Sequence, residues 1–198
     1  MRRATIGLGF ALALLALGCG DGAVFAPVDG LTTLALPRAR VQIDLLFIVD
    51  NSPGSFAVRD KALAGLHGLM ALVQGSALPY SFHFGVITSD LGANDFVDEP
   101  PQCHPGGDGA KLLRLGPDAA ASCLGVVGGA NFITFGSAGN NLPSGQDLAT
   151  TFDCMAAVGD KGCGYEQPLE AAYRALRDPP AENAGFLRDD AILVIAWI

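Results

Sequence analysis

The sequence predicts an α/β domain: a doubly wound, mainly parallel sheet with helices on both faces. Two short runs, residues 45–49 and 191–198, are apolar at every position, as strands buried on both faces are. Between them, stretches of helical spacing alternate with further strand candidates, an order that builds layered α/β sheets. The composition allows a sizeable core. Of 198 residues 50% are hydrophobic and only 16% charged, which excludes a disordered charged tail.

In chain order, the run 45–49 ends at Asp50 and passes through Asn51-Ser52-Pro53-Gly54, residue types that build tight turns. A helix follows, with Ser55 at its N-cap position and Val58, Ala62, Leu63, Leu66, Leu69, Met70 and Val73 on one face. Residues 81–89 form a second strand, with Phe82, Phe84 and Val86 alternating and Asp90 at its end. Residues 91 to about 129 lack a period and are rich in Gly, Pro and Asp, so they predict a long excursion. Residues 131–135 predict a short edge strand. Residues 147–158 read as helical, and so do 166–176, with Leu169, Ala172, Tyr173 and Leu176 on one face. Pro168 fits only the first turn of that helix. Residues 191–198 predict another buried strand.

The N-terminal segment stands apart from the fold. Arg2 and Arg3 open it, residues 4–17 carry no charge, and Ala16-Leu17-Gly18-Cys19 closes it. An apolar stretch this short suits a secretory signal, since a bilayer span needs about 20 residues. The ending resembles the bacterial lipobox, which implies a signal peptide over 1–18 and acyl chains on Cys19. Residues 19–40 then read as a flexible tether, and the domain occupies 41–198. The resemblance implies lipid anchoring in the cell envelope; Gly20 after the cysteine points to the outer membrane. Loss of 1–18 removes Arg2 and Arg3, which leaves 10 basic residues against 20 acidic ones. A free-standing nucleic-acid binder would need a basic face, so nucleic acid is excluded as a partner.

With Cys19 set aside, Cys103, Cys123, Cys154 and Cys163 remain. An even number in an oxidising compartment predicts two disulfides. Three pairings exist, the simplest being Cys103 with Cys123 and Cys154 with Cys163. A metal cluster is the rival reading, but no Cys-x-x-Cys pair occurs and His104 is the only histidine beside a cysteine.

Ligands of such sheets bind at the carboxyl ends of the strands. There the turn that begins at Asp50 gathers a carboxylate with the hydroxyls of Ser52 and Ser55. Hard oxygens of this kind suit Mg²⁺, Mn²⁺ or Ca²⁺. The stretch Leu45-Leu46-Phe47-Ile48-Val49-Asp50-Asn51-Ser52 resembles the opening strand and metal loop of von Willebrand factor A domains. Phe84-Gly85-Val86-Ile87-Thr88-Ser89-Asp90 resembles that family's second strand. Gly162-Cys163-Gly164-Tyr165-Glu166-Gln167-Pro168-Leu169-Glu170 resembles its later Gly-rich turn and helix, in the version of exported bacterial lipoproteins. The likeness spans about residues 41–198. It implies a metal-ion-dependent adhesion site in which Asp50, Ser52 and Ser55 hold the cation and a protein or envelope ligand supplies a carboxylate. The chain departs from the pattern in three ways. Gly54 stands where the family has its second Ser, with Ser55 one residue late. The Thr ligand aligns near Cys163 or Asp160. The later Asp would follow residues 191–198, so the domain resembles one shortened at its C-terminus.

The other motifs carry less. Asp95, Asp98 and Glu99 form an acidic loop without EF-hand spacing. His67, His83 and His104 are isolated, Glu166 and Glu170 read as residues of a solvated helix start, and no metalloprotease, nucleophile-elbow or phosphate-loop motif occurs. The sequence therefore predicts a non-enzymatic binding module. The alternative is a structural envelope lipoprotein whose turn has lost the metal.

Overall fold

The computed structural model describes residues 41–77, 79–93 and 102–198, together with the backbone of 24–28 and 31–35. Cys19, the signal segment and the acidic loop at 94–101 lie outside the described residues. The chain divides into two units, Met1–Arg38 and Ala39–Ile198. In the first, β1 (Val24–Val28) pairs antiparallel with β2 (Leu31–Ala35), within the stretch that reads as a tether.

The second unit is built on a five-stranded mixed sheet in the order β6-β5-β4-β3-β7. Its strands are β3 (Val41–Val49), β4 (Tyr80–Thr88), β5 (Ile133–Gly136), β6 (Gly139–Asn140) and β7 (Ile192–Trp197). β3 runs parallel to both β4 and β7, while β4–β5 and β5–β6 are antiparallel. The all-apolar run of β3 is thus the centre of the parallel part, with neighbours on both edges.

Helices α1 (Phe56–Gly75) and α2 (Leu148–Ala156) cover one face of the sheet and α3 (Pro168–Arg177) the other. Alternation along the strands divides the core accordingly. Leu45, Phe47, Val49, Phe82, Phe84 and Val86 pack with Met70, Val73, Phe152 and Met155. Leu46, Ile48 and Ile87 pack with Ala171, Ala172, Ala175 and Phe186. Gly85 makes this second layer possible, because a Cβ there would lie 2.7 Å from the Phe186 ring. Asp147 caps α2 by accepting from the Thr150 amide at 2.8 Å, and Pro168 occupies the first turn of α3. None of the described helices is long and apolar enough to cross a membrane.

Five expectations need correction. The short strand expected at an edge over 131–135 is β5, which lies between β4 and β6. α1 buries Arg59, Met70 and Val73 with Leu63 and Leu66 partly buried beside them, while Val58, Ala62 and Leu69 are exposed. α3 buries Ala171, Ala172 and Ala175 and leaves Leu169 86% exposed. Alanines let the helix lie close on the sheet, which a leucine face would hold away. Among the described residues β7 is an edge strand, and Ile192 and Trp197 are 58% and 62% exposed. The simplest disulfide pairing also fails: the bridges are Cys103–Cys163 and Cys123–Cys154. They tie the excursion to the turn before α3 and to α2, where short local loops would have left it untethered.

Beneath α3's end, His83 faces Phe186 and Phe132 and its Nδ1–H donates to the Phe186 carbonyl at 2.7 Å. Burial pushes its pKa below the ordinary value. The Phe186 bond opposes this, the Arg188 charge adds to it and Asp44 opposes it. The unfolded chain therefore takes up a proton near pH 6.5 that the folded one refuses. Stability is expected to fall as pH drops from about 6.5 toward the lower folded pKa. Urea melts at pH 7.5 and 5.5 check this, and the difference should shrink in His83→Gln, which keeps an N–H donor without the titration.

Candidate functional site

The site lies where β3 and β4 end and α1 and α3 begin. Asp50 continues the sheet for one more residue, its amide donating to the Ile198 carbonyl at 2.8 Å. The chain then turns sharply. Asp50 Oδ1 accepts from the Ser52 amide at 2.7 Å, an Asx turn of the kind short carboxylates favour. Gly54 (φ 95°) completes the reversal.

Ser55 occupies the N-cap position of α1 but makes no side-chain cap bond. Its hydroxyl turns back and donates to the carbonyls of Asp50 at 3.1 Å and Ser52 at 2.9 Å. The buried Arg59, one turn on, donates to the Asp50 carbonyl at 3.2 Å and to the Gly159 carbonyl. The turn is thus held by its own backbone and by α1, which leaves one Asp50 oxygen and the Ser52 hydroxyl for other work.

Those groups meet Glu166, the residue just before α3. The half-buried carboxyl of Glu166 accepts at Oε2 from the Ser89 hydroxyl. Its other oxygen, Oε1, is buried and accepts no hydrogen bond. Burial pushes the Glu166 pKa above the usual carboxylate range. The Ser89 bond opposes this, the Asp50 charge adds to it, the Ser52 hydroxyl opposes it, and a hydrogen bond shared with Asp50 adds to it. Two carboxylates and two hydroxyls from three separate elements therefore come together. The Asp50 charge raises the proton affinity of Glu166, and a cation between the two would relieve the repulsion.

Backbone links fix Glu166 there. The Gln167 amide donates to the Ser89 carbonyl at 3.1 Å and the Gly162 amide to the Asn51 carbonyl at 2.7 Å. Asp90 is a strut: its carboxylate accepts from the amides of Gly92 at 2.7 Å and Cys163 at 3.0 Å. Cys163 sits in a disulfide, and Asp160 is exposed. Cys103, Cys123 and Cys154 are likewise committed to bridges.

Sequence reasoning named Asp50, Ser52 and Ser55 and passed over Ser89 and Glu166. The signal for Glu166 was available: a carboxylate between a Gly-rich turn and a helix-opening Pro is delivered to the carboxyl end of the sheet. In comparisons with protein-family models, with curated proteins and with solved structures, nothing matches this chain.

Proposed function

We propose that this protein is a lipid-anchored lipoprotein of the cell envelope. In this reading its von Willebrand factor A-like, doubly wound domain binds a protein or envelope ligand through a divalent cation. The observation that carries the reading is the buried, unpartnered Glu166 Oε1 beside Asp50 and Ser52. A buried acceptor without a donor is costly, and a cation would satisfy it. The donor set is all oxygen, which fits Mg²⁺, Mn²⁺ or Ca²⁺. Asp50, Ser52 and Glu166 would hold the ion, with Ser89 orienting Glu166 and Ser55 keeping the turn closed. The ligand would add a carboxylate at the ion's open position.

Thermal unfolding with added Mg²⁺ or Mn²⁺ tests this. An ion at ten times its Kd contributes about 1.4 kcal/mol, or about 4 °C in Tm for a domain of this size. Asp50→Ala is expected to abolish the shift. Glu166→Gln should also abolish it, yet raise Tm without metal at pH 7, because it removes a buried charge that folding disfavours. The metal-dependent shift should shrink as pH falls toward the raised Glu166 pKa, since proton and cation compete. No shift at millimolar ion would favour a structural lipoprotein without a working site.

A further inference from the structure

We propose that two copies of this chain pair through β7, antiparallel across a two-fold axis at Ile195, so that their sheets join into one. The inference is independent of the Asp50–Glu166 reading and starts from the backbone. The Ile198 amide donates to the Ile48 carbonyl at 2.9 Å, and the Ile198 carbonyl accepts from the Asp50 amide at 2.8 Å. Both groups of Ile198 therefore point to β3. Successive strand residues alternate in direction, and the β3–β7 register is continuous. The amides and carbonyls of Leu193, Ile195 and Trp197 thus point the other way, off the edge of the sheet. Among the described residues β7 has no neighbour on that side.

This edge lacks the guards that keep exposed strands apart. Residues 191–198 carry no charge and no Pro, the two devices most used to blunt an edge. Ile192, Leu193, Val194, Ile195 and Trp197 are between 39% and 62% exposed. Their open surface is on the order of 500 Å² per copy, so that pairing would bury the roughly 1,000 Å² that a specific interface needs.

The occupant that fits is a second copy, by register and by charge. Centred on Ile195, antiparallel pairing sets Ile195 opposite its own counterpart and Leu193 opposite Trp197, each pair exchanging both backbone hydrogen bonds. On the face that turns Ala196 and Ile198 toward the α1 core, Val194 stands opposite Ala196 and Ile192 opposite Ile198. Every cross-strand pair is apolar, and aliphatic and aromatic pairs of this kind stabilise sheets. A two-fold axis sets each nearby group against its own copy, so a charged edge would repel itself. In a chain of net charge −8, an uncharged strand lets two copies meet without that repulsion. Association also closes at two. The opposite edge of the sheet is β6, only Gly139–Asn140, and so short an edge does not carry the ribbon further.

Sedimentation velocity of the full chain across a concentration series tests this, on the wild type, Ile195→Lys and Ile195→Glu. The expected result is a wild-type dimer, with association weakened at least tenfold in each variant because like charges then meet on the axis. Mixing the Lys and Glu variants should restore the dimer, a rescue that only contact at the axis produces. Far-UV circular dichroism and urea melts check that the variants fold. Should Ile195→Lys not fold, Trp197→Lys, at a position 62% exposed, makes the same test. A wild type that stays monomeric throughout would overturn the pairing and leave the edge to an extended peptide of another protein. A dimer untouched by both variants would place the contact elsewhere and overturn it too, and species growing past the dimer would overturn closure at two.

Discussion

Replacing Cys103 and Cys163 together by alanine is expected to lower stability by about 4 kcal/mol, the loop-closure value for a bridge spanning about 60 residues. The bridge joins residues 60 apart in sequence. Cys123–Cys154 spans 31, and its removal should cost about 0.6 kcal/mol less on the same scaling. Against a typical total of about 5–15 kcal/mol, either loss is large. The two bridges should differ more in function. Cys163 carries the amide that donates to Asp90, and its neighbour Gly162 carries the one that donates to Asn51. Those bonds deliver Glu166 to Asp50. The Cys103/Cys163 variant should therefore lose the metal-induced rise in Tm even where it remains folded, while the Cys123/Cys154 variant should keep it. Urea melts give the stabilities, and thermal unfolding with and without Mg²⁺ separates the two effects. Equal metal responses in both variants would count against the bridge's role in positioning the site.

The layers of the fold could be read in the sequence because hydrophobic pattern reports burial directly. The uninterrupted run of β3 gave a strand with neighbours on both sides, and Phe82, Phe84 and Val86 gave the face that β4 turns to α1 and α2. The same logic misread β7. Its run is as apolar as that of β3, but pattern reports what a strand could bury and not what lies over it. α3 failed for a related reason: its large residues mark an apolar face, while the sheet accepts the small one. The two disulfides form as expected, but the simplest pairing failed because loop length was its only guide, and the bridges close long loops that only the tertiary fold brings together.

The site was half legible. Asp50, Ser52 and Ser55 are contiguous, so the turn could be seen as a unit. Glu166 is more than a hundred positions away in sequence, and only the packing of α3 brings it to the turn. Ser55 shows the reverse limit. Its residue type suits a metal ligand, yet its proton goes to two carbonyls of the turn, a choice that depends on backbone direction.

Arg188→Met is expected to be among the most destabilising single substitutions, at about 3–5 kcal/mol, the usual cost of leaving one member of a buried ion pair without its partner. Asp44 is 0% exposed, in the middle of β3. Its carboxylate accepts from the Arg188 amide and Nε, both at 2.8 Å, and Arg188 Nη2 lies 2.6 Å away. The same guanidinium donates to the Ser81 hydroxyl at 2.8 Å and to the carbonyls of Ser81 at 3.1 Å and Ile43 at 3.2 Å. One side chain thus ties the segment before β7 to β3 and β4. Without it Asp44 keeps only the Arg188 amide and the nearby His83, whose Nδ1 is 3.5 Å away. The double variant Asp44→Leu/Arg188→Met should recover much of the loss, because it removes the stranded charge along with its partner. A double-mutant cycle in urea measures the coupling, and purely additive losses would show that the pair does not act as a unit. His83 supplies a second readout. Arg188 pushes its pKa down and Asp44 pushes it up. The His83 titration, followed by NMR, should therefore move to higher pH in Arg188→Met and to lower pH in Asp44→Leu, opposite shifts that a general loosening of the fold would not produce.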